Sequence, residues 1–201
     1  MSNDMSNLDD PVTGERKQEI LRAAIEIVAD EGYGSLSMRG LARASGMKLG
    51  ALQYHFRTWE DLLRALVNYI ERAILDEFEA QKLDDGSASV GEIVAFMLDD
   101  NAGTGDALLG DRLWPQLWAM EQVEPLVSDL LEEVYARYVE ILERAMKATG
   151  AESPRAEALC LMSMLEGESL FTGSGRRWET DREVVRETIL KLVNKMYGEK
   201  S

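Results

Sequence analysis

Cysteine and histidine each occur once in this 201-residue chain, as Cys160 and His55. A lone thiol closes no internal disulfide, and one thiol with one imidazole cannot assemble a Cys/His metal cluster. Proline occurs four times, too rarely to break up long helices. No apolar run approaches the roughly 18 residues that cross a bilayer. The polar, acidic start MSNDMSNLDDPVTG has no apolar stretch behind a basic one, so no signal peptide and no membrane partner are expected. No glycine-rich loop of nucleotide-binding type follows a strand pattern, and the many carboxylates sit in no recognisable catalytic setting. The expectation is a non-enzymatic, cytoplasmic protein with no catalytic residue, metal or cofactor.

Basic residues are also scarce, with 22 Lys and Arg against 37 Asp and Glu and a net charge of −15. That balance argues against nucleic acid as a partner, because neutralising phosphate requires cations. The distribution reverses the inference. Between Gly32 and Trp59 there is no acid at all, while Arg39, Arg43, Lys48, Arg57 and His55 all fall there. The stretch is either a face that pairs with acids elsewhere in the fold or a surface for phosphate.

Apolar residues recur at helical spacing throughout, which predicts an all-α fold of about nine helices. A first helix runs from Glu15 to near Gly32, behind a tail (residues 1–14) expected to be disordered. Ser37 is placed to cap a short second helix, with Leu36 and Leu41 stapling across it. Ser45-Gly46 is a turn signal, and a third short helix covers Lys48–Phe56 with Leu52 and Phe56 inward. A long fourth helix begins near Trp59 with the stripe Leu62, Leu63, Leu66, Val67, Ile70, Ile74 and Phe78. After a linker at Asp84–Val90, helices are expected at Glu92–Asp99, within Leu108–Met120 behind a break at Asn101–Asp106, and at Glu124–Thr149. Two more cover Arg155–Phe171, whose centre is apolar all round, and Asp181–Met196.

Helix, short helix, tight turn and short helix is the helix-turn-helix plan, which presents its second short helix to the major groove. On that helix Gly50, Ala51, Gln53 and Tyr54 lie opposite Leu52 and Phe56. The run SMRGLARASGMKLGALQYHF followed by RTWEDLL resembles the DNA-binding region of the tetracycline-repressor (TetR) family over about residues 15–75. The chain departs from the family pattern at Lys48, Ala51, Gln53 and Trp59, where serine, threonine, tyrosine and lysine are usual.

The resemblance implies a three-helix DNA-binding domain (15–60, motif 37–56) joined through the fourth helix to an effector-binding and dimerisation domain (61–201). It implies a homodimeric regulator, a repressor released from a palindromic double-stranded operator by a small, largely apolar effector. A helical protein-interaction module is the alternative. The expected DNA-facing set is Ser37, Arg39, Lys48, Leu49, Gly50, Ala51, Gln53, Tyr54, His55 and Trp59. Gln53 is placed to read a base edge or to be merely solvated, since glutamine can bond adenine bidentately. His55 touches phosphate or packs at the helix end, and Tyr54 faces phosphate or packs on the fourth helix.

Met97, Trp114, Trp118, Met120, Met162, Met164 and Phe171 are the expected effector-pocket residues, or else ordinary core. Glu166 and Glu168 are a polar anchor or a solvated helix end. Leu161, Leu165, Val185, Ile189, Leu192 and Val193 are expected at a dimer interface, or else buried within the chain.

Overall fold

The computed structural model describes residues 11–83, 85–98 and 112–198, with side chains from Gly14 onward. Among the described residues it contains nine α-helices, two single-turn 3-10 segments and no strand. The helices are α1 (Pro11–Glu31), α2 (Met38–Ala44), α3 (Leu49–His55), α4 (Trp59–Ala80), α5 (Val90–Leu98), α6 (Trp114–Glu121), α7 (Pro125–Thr149), α8 (Pro154–Thr172) and α9 (Arg182–Tyr197). The first helix thus begins four residues ahead of Glu15, and most of the expected tail and the break at 101–106 lie outside the described residues.

Local chemistry sets the ends of these helices. The Ser37 hydroxyl accepts the Gly40 N–H at 3.1 Å and opens α2, with Leu36 and Leu41 both buried beside it. Thr58 and Asp61 form a reciprocal capping box at 3.0 Å in both directions, which starts α4. Ser89 and Glu92 exchange the same pair of bonds, so the expected linker ends as the first turn of α5. Pro115 opens α6 and Pro125 opens α7, where a missing N–H costs nothing.

The α4 stripe read from the sequence is buried throughout, from Leu62 to Phe78. The helix packs on α1 and on α7, with Arg22 of α1 bonded to Tyr69 and Phe78 near its end against Tyr138 of α7. The 25-residue α7 is the centre of the larger half, contacted by α4, α5, α6 and α8, with Val127, Leu130, Leu142 and Met146 buried. α9 closes the side of α5 and packs against α8. The buried apolar side chains form one connected cluster from Ile20 to Val193.

Two polar ties cross from the first helices to the larger half. The Tyr33 hydroxyl donates to the Glu124 carboxylate at the start of α7. Arg112, just before α6, pairs with Asp30 near the end of α1 at 2.5 Å.

Candidate functional site

α2 and α3 meet across a turn whose geometry depends on Gly46, at φ 65°, a left-handed conformation that side chains other than glycine or asparagine resist. The turn is closed by the Met47 N–H bonding to the Ala42 carbonyl at 2.7 Å. Ala42 is buried where the helices cross. Arg16 of α1 donates to the Ser45 carbonyl at 2.9 Å and fixes the turn against the first helix. Leu52 and Phe56 anchor the inner side of α3.

The outer side of α3 is open. Gly50, Ala51 and Gln53 are exposed, and Tyr54 is 76% exposed, so it does not pack on α4. Lys48, Arg39, Arg43 and Arg57 are exposed around them. A Cβ added at Gly50 would meet nothing within 4 Å, so no internal packing demands glycine there. Leu49 is half-buried at the first turn. Ser37 is exposed, but its oxygen caps α2.

Two residues depart from the expected surface. Trp59 is partly buried, its ring 6.3 Å from that of Tyr33, and its indole N–H is engaged with the Tyr33 hydroxyl. Trp59, expected in the DNA-facing set, is thus half-buried against Tyr33. His55 is also partly buried, with Nδ1 enclosed and without a partner. Burial first, and then the charges of Lys17 and Arg16, hold its pKa below the usual histidine value. His55 is thus half-buried at the end of α3, where its charged form is disfavoured. Arg16 and Lys17 themselves were missed, because in the sequence they sit among acids of α1 and outside the acid-free stretch.

The larger half contains a second polar constellation. The Trp118 indole N–H donates to the Tyr135 hydroxyl at 2.8 Å, and Tyr135 in turn donates to the Glu166 carboxylate. Trp114 lies 6.3 Å from Tyr135, and Tyr138 packs edge-on against Phe78 at 4.7 Å. Three helices, α6, α7 and α8, thus meet in one hydrogen-bonded chain. Burial pushes the Glu166 carboxyl up to about 7, outweighing the stabilising bond from Tyr135.

Glu168, two residues on, is buried and bonded by Arg182 and Arg186 at 3.2 Å each and by Thr172 at 2.7 Å. Neither carboxylate lies at a solvated helix end, since α8 continues to Thr172 and both face packed neighbours.

Of the expected pocket residues, Trp114, Trp118 and Met97 are partly buried, and Met120 and Met162 are buried. Met164 and Phe171 are 37% and 57% exposed on α8, and Phe171 contacts Trp178. The expected dimer set also divides. Leu161, Leu165, Ile189 and Val193 are buried within this chain, Val185 is half-buried, and Leu192 alone is exposed. Their burial comes from packing on α7 and α5, which sequence periodicity does not reveal. The apolar residues that α8 and α9 leave outside are Leu159, Met164, Leu170, Phe171, Val184, Leu192 and Met196.

An exposed, uncharged short helix held across a glycine turn by a capped partner is the geometry of a helix-turn-helix. Residues 20–66 match the family model described as bacterial regulatory proteins, tetR family. The chain is 24% identical over 157 residues to the HTH-type transcriptional regulator BetI of Pseudomonas paraeruginosa, covering 76% of this chain and 78% of that one. It is 26% identical over 195 residues to an HTH-type transcriptional regulator in the dhlA 5′ region of Xanthobacter autotrophicus, covering 94% and 96%.

Among solved structures, a protein of Rhodococcus sp. described as a TetR-family transcriptional regulator superposes with a TM-score of 0.68 at 26% identity, over 90% of this chain and 98% of that one. A Saccharomonospora viridis protein solved in complex with choline shares the fold, with a TM-score of 0.72 at 18% identity over 93% and 100%. Together these likenesses show that the chain resembles transcriptional regulators of the TetR family, most directly over residues 20–66.

The raised pKa of Glu166 has a consequence for stability. Between its ordinary 4.5 and about 7, the folded chain keeps a proton that the unfolded chain has released. Stability therefore falls as pH rises through that window. Glu166→Gln removes this contribution, and thermal denaturation followed by circular dichroism between about pH 5 and about pH 7 should show a flatter decline than the parent chain.

Proposed function

We propose that this regulator binds double-stranded DNA as a homodimer, inserting α3 of each copy into the major groove of a palindromic operator. We infer further that it is a repressor released when a small, largely apolar molecule enters the larger helical half. The observation that carries the DNA reading is the outer face of α3, exposed and free of charge at its centre, in a stretch without acids where Lys48, Arg39, Arg43 and Arg57 are also exposed. Gln53 is the base-reading candidate and Lys48 the phosphate-positioning one. Gly50 suits a place where the helix backbone comes close to the groove, since nothing within the chain requires its missing side chain.

The homodimer reading is supported by the apolar residues left open on α8 and α9, with Phe171 57% and Leu192 48% exposed. Pairing these helices across a two-fold axis would set two reading heads for half-sites about 34–36 Å apart. The effector reading is supported by the partly buried aromatic group at Trp114, Trp118 and Tyr135 and by the choline held by a neighbour of the same fold. The Tyr33–Glu124 and Asp30–Arg112 ties supply a route from that half to the reading head.

Gel shifts against DNA flanking the chain's own gene, at several salt concentrations, test the DNA assignment. Gln53→Ala should relax base preference by about 1–3 kcal/mol at one position, and Lys48→Ala should weaken all DNA alike and lower the salt slope by about 1. Absence of any specific shift at low salt would overturn the regulator reading. Gly50→Ala should leave the urea unfolding midpoint unchanged or slightly raised while operator affinity falls roughly tenfold. Leu192→Glu should turn the dimer into monomers in sedimentation velocity and weaken operator binding in parallel.

A further inference from the structure

The reading head is attached to the larger half in two ways. The first is α4, which runs from Trp59 beside the head to Ala80 among the larger helices. Among the described residues, α1 packs on α4 and α2, and α2 on α3, but none of the three makes an extensive contact with α5 to α9.

The second attachment is a small patch at the end of α1. There Gly32, at φ 83°, stops the helix and turns the chain so that Tyr33 opens the following 3-10 turn. A Cβ at Gly32 would lie 3.4 Å from Oε1 of Gln116, so the backbone passes close to α6. Tyr33 is half-buried, with its ring 6.3 Å from that of Trp59, the first residue of α4. Its hydroxyl donates to Glu124, the residue just before α7, whose carboxylate caps no backbone N–H of that helix. Asp30 and Arg112 pair beside it at 2.5 Å, both exposed. Exposed ion pairs constrain little, whereas a partly buried bond from a hydroxyl to a carboxylate is among the stronger ones. Tyr33 is therefore the residue on which the patch chiefly depends.

Geometry gives this patch leverage. A head held along one rod can still tilt, and a second attachment away from that line fixes its angle. α4 has 22 residues, roughly 33 Å of helix, and a tilt of about 5° over that length moves one end by about 3 Å. The rise of one base pair is about 3.4 Å. In a two-fold dimer both heads tilt, so a loosened patch lets the pair bridge half-sites about a base pair nearer or farther apart.

We propose that Tyr33, acting through Glu124, determines which spacing of half-sites this protein accepts. It is a positioning residue, acting on DNA by holding each head at one angle to the body. This rests on the dimeric DNA reading given above and adds to it a residue that sets spacing rather than sequence.

The test uses gel shifts of the full chain with the palindromic DNA it selects from a random pool, and with versions having one or two base pairs added or removed at the centre. The parent chain should prefer one spacing by roughly tenfold or more. Tyr33→Phe keeps the ring against Trp59 and loses the donor. It should shrink that preference to about threefold or less while a single half-site is bound as before. Glu124→Ala removes the acceptor from the other side and should do the same, whereas Glu124→Gln, which keeps an acceptor, should hold most of the preference.

A spacing profile unchanged in both Tyr33→Phe and Glu124→Ala would overturn the assignment. So would a loss equal at every spacing and at the single half-site, which marks damage to the reading face itself. A parent chain that binds all spacings alike overturns the spacing role and leaves a DNA reader. One that shifts no DNA at all overturns the regulator reading beneath it.

Discussion

The burial of one face of α4 along its whole length is the constraint on which the two halves of the molecule both depend. Leu62, Leu63, Leu66, Ile70, Ile74 and Phe78 are all buried, α4 packs on both α1 and α7, and Phe78 meets Tyr138 of α7. A helix buried at both ends by close-packed side chains cannot shift at one end without disturbing the other, because interiors of this density resist gradual deformation. The capping box at Thr58 and Asp61 fixes where that rod begins, directly after the last residues of α3. The Phe78–Tyr138 contact fixes where it meets the larger half, one helical turn along α7 from Tyr135. The aromatic and carboxylate group and the DNA-reading surface are thereby connected through a single continuous element.

Charge within the larger half follows a clear division. Glu168, Arg182 and Arg186 join α8 to α9 by satisfied bonds and account for their own burial. Glu166 is left facing rings and a phenol. The same helix therefore carries one carboxylate neutralised by two arginines and one held against a phenol, its carboxyl raised by burial.

What could be read in the sequence was whatever depends on near neighbours in the chain. The Ser37 cap, the Leu36–Leu41 staple, the Gly46 turn and the α4 stripe all follow from residues within a turn or two of each other, and each appears in the structure as expected. The orientation of α8 could not be read, because a helix apolar on every side has no moment to say which side is inner. Leu161 and Leu165 went inward and Met164 and Phe171 outward for reasons that lie in α7, not in α8 itself. The pairing of Tyr135 with Glu166 joins residues 31 positions apart in the chain on different helices, and no local pattern announces it. The packing of Trp59 against Tyr33, 26 positions away, was equally outside any local pattern.

Acids are placed unevenly along this chain. None falls between residues 32 and 59, where Arg39, Arg43, Lys48 and Arg57 stand exposed, while Glu31 and Glu60 bound the stretch on either side. Against a polyanion, carboxylates more than about a Debye length away, roughly 8 Å in physiological salt, would be largely screened, so approach through this stretch would meet the least opposition.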